Sequence, residues 1–416
     1  MSDEDKVASI DIHKKVLMVV VGSREAEAIG SQSELERRRF GTMTSDLRRL
    51  SAWLRERGVK DVVMESTAQY WKPVWWELEP YMRLHLAQAF SNRAPKGRKH
   101  DFRDAERLLR RFLAGELILS FVPGPEQRAW RTMTRMKTRL ARHRVRLYSH
   151  VEDLLEEMRI KLSCVLSDLF GASGLRILRA LAKGETDPKK LAALRDNRLK
   201  CTEEQLVDAL TGNVQAMQRE LLELYLQQLR LIDEQMEKLS GMIAEALKPH
   251  EEAVARLAEV SGFGPNSAQQ VIAEVGVRAS TFPSAGNLAS WVGTCPGENE
   301  SAEENHSSRS PKGNRYMRRV LAEAAQAAVK AKGSHFQAVF RRLLPRLGYN
   351  GAIWAVAHRL CRLVWKILHD GVRYIEQGAC RDPRAKKRRA RSLIRALRKL
   401  GYNVELTPIE PATVPA

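Results

Sequence analysis

Apolar residues in the first 125 positions of the chain follow two different periods. Short runs of Val, Ile and Leu between polar turns predict β-strands, whereas apolar residues three and four positions apart predict helices. In VASIDIHKKVLMVVVG, which begins at Val7, two apolar runs flank His-Lys-Lys, as is typical of a β-hairpin. Residues 45–58 place Leu47, Leu50 and Leu54 on one helical face. The other predicted strands cover residues 34–42, 59–65 and 83–89.

The order of predicted elements is β-β-β-α-β-α-β-α, which indicates a mixed α/β domain over residues 1–125. After residue 125 the apolar positions follow helical spacing almost throughout. Residues 214–247 carry a stripe close to a heptad repeat, which indicates either intramolecular core or an antiparallel coiled coil or dimer strut. The expected further parts are a helical coiled-coil region at 126–250 with an insertion at 163–210, a helical domain at 251–380 and a basic tail at 381–416.

The charge balance narrows the class of partner. The 416 residues include 70 Lys and Arg against 50 Asp and Glu, a formal net charge of +20, which favours nucleic acid over a membrane surface. The acidic start lacks an apolar signal region, and the apolar segment 352–368 is interrupted by charged residues. These features predict a soluble, cytoplasmic protein without a membrane partner. Five cysteines without CxxC spacing indicate a reducing compartment and no zinc site.

Four acidic residues stand at predicted element ends. Asp11 follows the first strand, Glu65 ends the buried strand VVME, and Asp101 and Asp104 open the helix that follows a basic loop. Two carboxylates three residues apart on one helical face repel each other unless a cation lies between them. Carboxylates from neighbouring strand ends and a helix suit two Mg²⁺ ions in a phosphoryl-transfer site.

Each acid also has a simpler interpretation when it is taken alone. Asp101 would serve as a helix N-cap and Asp104 as a favourable first-turn acid. Asp11 would be a turn residue at the end of a strand. The metal-site hypothesis therefore depends on all four acids together.

A long basic helix is predicted over residues 128–148, which carry eight Lys and Arg residues and no acid. Unless these cations simply form a solvated face, phosphates would relieve their mutual repulsion. Basic residues also precede Asp101 and open the helix near residue 315, where they suit phosphate binding. The candidate nucleic-acid-binding residues are Arg98, Lys99, Arg128, Arg131, Arg135, Arg139, Arg142, Arg146, Lys312, Arg315, Arg318 and Arg319.

Two further stretches of the second half carry candidate chemistry. The sequence VSGFGPNSA around Gly262 indicates either a helix-hairpin-helix turn that contacts DNA phosphate or a plain turn between helices. The polar loop before Lys312 is either functional or flexible. It offers several serines as nucleophiles, with His306 nearby: Ser301, Ser307, Ser308 and Ser310.

These motifs resemble the DEDD transposases of the insertion sequence one-hundred-ten family, relatives of the pilin-gene invertases and described as bridge-RNA-guided recombinases. The resemblance extends over nearly the whole chain. It is carried by SIDIHKK, ESTAQYW, GRKHDFRDAERL, VSGFGPNSA, and WVGTCPGENES followed by KGNRYMRR. Where the family commonly has glycine after its serine, this chain has Ala302.

The resemblance implies a RuvC-like RNase H fold at the N-terminus, a coiled-coil region and a C-terminal transposase domain with a serine nucleophile. It assigns catalysis to Asp11, Glu65, Asp101, Asp104 and Ser301, with Mg²⁺ bound by the four acids. The implied partners are DNA at the element ends and target, a guide RNA, and further copies of the chain in a dimer or tetramer. The residues alone leave two alternatives open: a RuvC-like, Mg²⁺-dependent junction nuclease that uses water, and a non-catalytic nucleic-acid-binding protein.

Overall fold

A computed structural model describes residues 6–23, 35–65, 68–92, 101–197, 199–295, 300–301, 304–305, 310–376, 378, 391 and 393–403. The chain divides into two compact units, Met1–Pro123 and Gly124–Ala416. The division lies close to the predicted boundary after residue 125, whereas the predicted boundaries at 250 and 380 stay predictions. Among the described helices, none combines the length and the apolarity that crossing a bilayer requires.

The first unit contains one six-stranded mixed sheet with the strand order β3-β2-β1-β4-β5-β6. β1 pairs antiparallel with β2 and parallel with β4, and β4 pairs parallel with β5. The strands are β1 Lys6–Ile12, β2 Val16–Ser23, β3 Glu36–Gly41, β4 Val59–Glu65, β5 Arg83–Ala87 and β6 Leu119–Ser120, and the helices are α1 Thr44–Glu56, α2 Trp71–Leu78 and α3 Asp101–Leu113.

The predicted strands and helices of this unit are confirmed, with end points that differ by a few residues. The sequence pattern missed β6, because two residues are too few to show a period. The six-stranded mixed sheet, followed by a helical second unit, agrees with the RNase H-like fold that the resemblance implies.

The sheet is apolar on both faces because helices cover both. Ile10 and Met64 belong to the core cluster on the face of α1 and α2. Val7 of β1 and Val63 of β4 instead belong to small clusters on the opposite face, which α3 covers. Since side chains alternate along a strand, Asp11 and Glu65 share the α3 face with Val7 and Val63.

The second unit is helical. Its helices are α4 Pro125–Glu157, α5 Leu162–Val165, α6 Ala172–Ala182, α7 Pro188–Ala192, α8 Glu203–Leu210, α9 Ala216–Ala246, α10 Glu251–Ala258, α11 Pro265–Val275, α12 Ala285–Val292, α13 Arg315–Ala328 and α14 His335–Asp370. Two strands of two residues each, β7 Glu300–Ser301 and β8 Glu304–Asn305, pair antiparallel between α12 and α13. We call this pair the β7–β8 hairpin. Gly348, at φ 66° and ψ 176°, interrupts α14, which also contains Pro345.

The long helices α4 and α9 run antiparallel along each other. Arg144 pairs with Asp233 at 3.1 Å, and the rings of His150 and Tyr225 stack with their centres 5.9 Å apart. Residue numbers along α9 therefore decrease in the direction in which those along α4 increase. The region between these helices forms its own core with their adjoining ends, and Tyr148 stacks on Phe170 at 3.7 Å. The antiparallel pairing agrees with the sequence pattern, and a coiled coil in the strict sense stays a prediction.

The predicted helix-hairpin-helix corresponds to α10, a turn and α11. Gly262 in this turn has φ +100°, and a Cβ at this position would lie 2.2 Å from the carbonyl oxygen of Ala324. Glycine is therefore required here because the turn packs against the backbone of α13. A DNA-phosphate contact by the turn stays a prediction.

Candidate active site

Two of the predicted catalytic acids, Asp11 and Glu65, lie side by side at the carboxyl-terminal ends of the two central strands, β1 and β4. We refer to this end of the strands as the edge of the sheet. In the parallel pairing of β1 with β4, Ser9 is opposite Val63 and Ile10 is opposite Met64. Asp11 and Glu65 are the next residues of the two strands and share the α3 face. Glu65 ends β4, and Asp11 is one residue from the end of β1. Carboxyl ends of adjacent parallel strands are where open α/β sheets place their ligand sites.

Helix α3 crosses this face above β1. The hydroxyl of Ser9, which is fully buried, donates a hydrogen bond to the carbonyl oxygen of Ala105 at 2.7 Å. Val7, two residues before Ser9, shares a core cluster with Leu109, one helical turn after Ala105. The helix and the strand therefore run in opposite directions.

The same alignment extends toward Asp11. Four helical residues rise about 6 Å and two strand residues rise about 6.6 Å, so the two elements stay in step over this distance. One turn before Ala105, helix position 101 comes level with Asp11. Asp104 directly precedes Ala105 in the same N-terminal turns of α3. The backbone of the fold thus places the start of α3 at the same end of the sheet as Asp11 and Glu65, and the meeting of all four carboxylates stays a prediction.

The described carboxylates have protein partners. The imidazole Nε2 of His13 lies 3.1 Å from an oxygen of Asp11, whose side chain is 15% exposed. Asp104 pairs with Arg107 of the next helical turn at 2.8 Å. Glu65 accepts a hydrogen bond of 2.8 Å from the amide nitrogen of Asn92.

Asn92 is a residue of this site that the sequence pattern did not single out. It ends the short 3-10 helix Ala89–Asn92 and is 3% exposed. While its amide nitrogen fixes Glu65, its amide oxygen is buried without a hydrogen-bond partner. An unpartnered buried oxygen beside a carboxylate suits a metal ion or a metal-bound water. Asn92 lies in a short polar stretch without the regular apolar spacing that predicts a helix or strand, so the sequence pattern did not identify it.

The donor chemistry of this site fits Mg²⁺, because carboxylate and amide oxygens are the ligands that this hard cation prefers. Among the side chains that the structure describes, which leave out that of Asp101, no three carboxylate, imidazole or thiol groups are placed to hold a metal ion. A metal centre formed by all four acids therefore stays a prediction.

Ser301 lies in the second unit. Its backbone pairs with that of Glu304, so it is the last residue of β7 in the antiparallel pair β7–β8. The predicted loop thus contains a small hairpin, which the polar composition did not indicate. The side chain of Ser301 lies outside the described part of the structure, as do Ser307, Ser308, Arg98 and Lys99.

The prediction of eight uncompensated cations on the 128–148 helix is wrong. Glu274 of α11 is buried and forms two 2.8 Å hydrogen bonds with Arg135 of α4. Arg131 lies 3.4 Å from the same carboxylate and donates to the Ala273 carbonyl oxygen at 3.2 Å. Acids distant in sequence therefore supply the missing counter-charge, and Arg144 pairs similarly with Asp233 of α9.

The electrostatics of this ion-pair cluster reflect its burial. Burial lowers the pKa of Arg131 to about 10, against the opposing effect of Glu274. Burial also disfavours the charge on Arg135, but the hydrogen bonds and the charge of Glu274 outweigh it and raise the pKa of Arg135. Both guanidinium groups remain charged near neutral pH, so the cluster carries a net positive charge.

Glu274 also connects α4 to the start of α13. It accepts a 2.9 Å hydrogen bond from the amide nitrogen of Asn314, whose side-chain oxygen caps α13 by accepting from the amides of Tyr316 and Met317. Arg135 lies over the ring of Tyr316 at 4.5 Å. A single acid in the apolar segment VIAEVG was the available sequence signal for Glu274.

Replacing Glu274 by Ala is expected to lower the free energy of unfolding by about 3–5 kcal/mol. Removing one partner of a buried ion pair leaves the other charge desolvated and unpaired. Chemical denaturation of the purified chain would measure the loss. The matched control is Glu323→Ala, which breaks an exposed i,i+4 pair with Arg319 and should cost less than about 1 kcal/mol. Equal losses in the two variants would contradict the structural role of Glu274.

Three cations of α4 remain exposed on one face of the helix: Arg139, Arg142 and Arg146. Their spacing of three and four residues places them in one row. Nucleic-acid binding by these three arginines stays a prediction, whereas Arg131 and Arg135 bind Glu274. At the start of α13, Lys312 and Arg315 are exposed, but Arg318 and Arg319 bind groups of the protein.

Changing Arg139, Arg142 and Arg146 to Gln is expected to flatten the dependence of DNA affinity on salt. Each lost phosphate contact should reduce the slope of log affinity against log salt by about 0.7 to 0.9. Fluorescence anisotropy across a salt series would measure it. The control changes Arg230, Lys238 and Lys248, exposed cations on or just after α9, to Gln. An unaltered slope in the Arg139, Arg142 and Arg146 variant would indicate that these arginines form a solvated surface and do not contact phosphates.

Comparison with known proteins agrees with the motifs. A family model described as a transposase matches residues 8–160, and the model of the transposase IS116/IS110/IS902 family matches residues 254–341. A curated relative, a probable family 20 transposase of Pseudomonas aeruginosa, is 29% identical over 315 residues. That alignment covers 74% of this chain and 83% of the relative.

Proposed function

We propose that this chain is a transposase of the IS116/IS110/IS902 family, because transposase family models match residues 8–160 and 254–341. In this proposal it cuts and rejoins the DNA strands of an insertion sequence by phosphoryl transfer, with a serine as the attacking group. The observation that carries this proposal is the convergence of Asp11, Glu65 and the start of α3 at one edge of an RNase H-like sheet. Carboxylates gathered in this way suit phosphodiester chemistry.

In this proposal Asp11, Glu65, Asp101 and Asp104 would hold Mg²⁺, which supplies charge stabilisation at a reacting phosphate when it is bound. Asn92 holds Glu65 in place through its amide nitrogen. The imidazole of His13 lies beside Asp11 and the guanidinium of Arg107 pairs with Asp104, and these contacts orient the two carboxylates.

The serine step conserves the number of phosphodiester bonds. The Oγ of Ser301 attacks the phosphorus of a DNA phosphodiester, and the bond from phosphorus to the 3′ oxygen breaks. This leaves a 5′-phosphoserine link and a 3′-hydroxyl, with the proton lost by serine balanced by the one gained by the 3′ oxygen. A 3′-hydroxyl of another strand then attacks the phosphoserine and releases the serine, so strands are exchanged without hydrolysis.

Sequence choice is assigned to a guide RNA that pairs with target and donor DNA. The exposed cations of α4 and α13 suit this arrangement because they bind backbone phosphates without reading bases. We expect the active form to contain more than one copy of the chain.

Incubating the protein with DNA that carries the element ends, its RNA and Mg²⁺, followed by denaturing electrophoresis, tests the proposal. The expected product is a DNA–protein adduct that resists SDS. Mg²⁺-dependent cleavage without an adduct would instead indicate a nuclease that uses water, and binding without cleavage would indicate a non-catalytic binding protein.

A further inference from the structure

The two ends of the segment that carries Ser301 meet in direct backbone contact. Gly293 ends α12 in the left-handed conformation, with φ +75°, and a Cβ on it would lie 2.5 Å from the carbonyl oxygen of Pro311. A Cβ on Gly313 would lie 2.2 Å from the carbonyl oxygen of Val292. Neither position can take a side chain unless the backbone moves. We refer to residues 292–294 and 310–313 together as the loop neck.

Arg318 joins both sides of the loop neck. Its Nη1 donates to the carbonyl oxygen of Gly293 on one side and, at 3.1 Å, to that of Pro311 on the other. Its Nη2 donates to the hydroxyl of Ser310 at 3.2 Å. The guanidinium also lies over the ring of Trp354 at 4.4 Å, and burial lowers its pKa. Arg318 therefore directs its donors to the protein, in contrast to the phosphate-binding role that the sequence predicted.

The loop neck is held to the rest of the unit at further points. The amide of Asn314 donates to the carbonyl oxygen of Trp291 at 3.2 Å, and the side chain of Asn314 reaches Glu274. Thr294 is 2% exposed, and its hydroxyl donates to the carbonyl oxygen of Ala289 at 3.2 Å. The helices on either side are thus fixed, and Arg318 is the side chain whose charged donors contact both ends of the loop.

We infer that Arg318 is a positioning residue for strand transfer, which holds together the two ends of the segment that carries Ser301, so that Ser301 is presented from a fixed place on the helical unit. This inference rests on the proposed function, since it takes Ser301 as the attacking group. Fixing the ends of a loop reduces the volume that its tip explores. A nucleophile that is held near its target reacts faster than a freely moving one, and small misplacements cost large factors in rate.

The neighbouring arginine provides a matched control. Arg319 has the same charge and follows Arg318 on α13, but it pairs with Glu323 at 2.7 Å on the same helix and does not contact the loop neck in the hydrogen bonds described. Comparing Arg318→Ala with Arg319→Ala therefore separates the effect of the contacts with the loop neck from the effect of losing one positive charge on α13.

The experiment measures two quantities for each variant: the dissociation constant for DNA, and the rate of SDS-resistant adduct formation at saturating DNA. Arg318→Ala is expected to slow adduct formation by about 10- to 100-fold, as for a misplaced reacting group, with the dissociation constant changed less than about twofold. Arg319→Ala should leave the adduct rate unchanged. Arg318→Lys, which keeps one donor group and the charge, should recover part of the rate.

Hydrogen exchange gives a readout that does not depend on chemistry. In Arg318→Ala the amide of Asn314 should exchange faster than in the wild-type chain, because the loop neck opens more often. Trp354→Leu removes the stacking partner and keeps the hydrogen-bond donors, so it should show a smaller change of the same sign. This second variant keeps the test decisive if Arg318→Ala fails to fold.

Weaker DNA binding by Arg318→Ala with an unchanged adduct rate at saturation would make Arg318 a phosphate ligand and overturn the inference. Unchanged exchange of the Asn314 amide would overturn it as well. If the wild-type chain formed no adduct at all, the proposed function would fail, and hydrogen exchange would still decide whether Arg318 holds the loop neck.

Discussion

Ser301→Ala is expected to abolish the covalent DNA adduct and all recombinant product while DNA affinity stays within about twofold of the wild-type value. Alanine removes the attacking oxygen, and loss of a nucleophile from a serine enzyme costs about 10⁶ in rate. Ser301 pairs with Glu304 through its backbone, which alanine also provides, so the change should leave this pairing intact. Denaturing electrophoresis of labelled DNA ends would measure the adduct, and circular dichroism would establish the fold.

The controls are Ser307→Ala and Ser308→Ala, which change a hydroxyl of the same segment. Both should form adduct at the wild-type rate. Ser301→Cys should retain a trace of activity, because a thiol attacks phosphorus weakly. If Ser301→Ala still recombined DNA while one of the control variants did not, the nucleophile would be that neighbouring serine. Activity in all three variants would point to water or a 3′-hydroxyl as the attacking group.

Periodic patterns predicted the main elements of the first unit because β1, β2 and β4 are apolar runs buried on both faces. The positions of Asp11 and Glu65 at strand ends could also be read from the sequence, since each follows a run of Val, Ile or Met. Their adjacency required the strand order, in which β4 is next to β1 although β2 and β3 precede it in the chain. That order was available only through the resemblance.

The partners of the arginines could not be predicted from local sequence. Arg131, Arg135 and Arg318 stand in basic stretches, and their acceptors lie on other helices or in a loop. A guanidinium that binds a distant carboxylate and one that binds DNA look the same in the sequence. A solitary acid in an apolar helix, such as Glu274, is the kind of signal that indicates the first case, because an unpaired buried carboxylate is costly.

This distinction changes how the basic composition is interpreted. Part of the excess of Lys and Arg stabilises the helical unit, through the pairing of Arg135 with Glu274 and through the contacts of Arg318 with the loop neck. The cations that remain exposed on α4 are fewer, and they lie in one row. A row of this kind suits a single nucleic-acid strand better than a uniformly basic surface, since backbone phosphates are also arranged in rows.

Asp104→Asn is expected to reduce Mg²⁺-dependent DNA cleavage by at least about a hundredfold while DNA and RNA binding are retained. The amide has nearly the same volume as the carboxylate but lacks its negative charge, so it is a poorer ligand for a hard cation. Loss of charge stabilisation at a reacting phosphate costs several kcal/mol, and each 1.4 kcal/mol is a factor of ten in rate. Cleavage of labelled DNA ends across a Mg²⁺ series would measure the effect.

The matched control for this change is Glu106→Gln on the same helix. Glu106 pairs with Arg37 of β3 at 2.6 Å and with Arg110 of α3 at 3.6 Å, so the variant loses one charge and weakens these two ion pairs but removes none of the four predicted metal ligands. Its cleavage rate should stay within about threefold of the wild-type rate, since the change leaves all four predicted metal ligands in place. Calorimetric titration with Mg²⁺ should show weaker binding to Asp104→Asn alone. Cleavage at the wild-type rate in Asp104→Asn would remove Asp104 from the site, and equal losses in both variants would assign the effect to α3 as a whole.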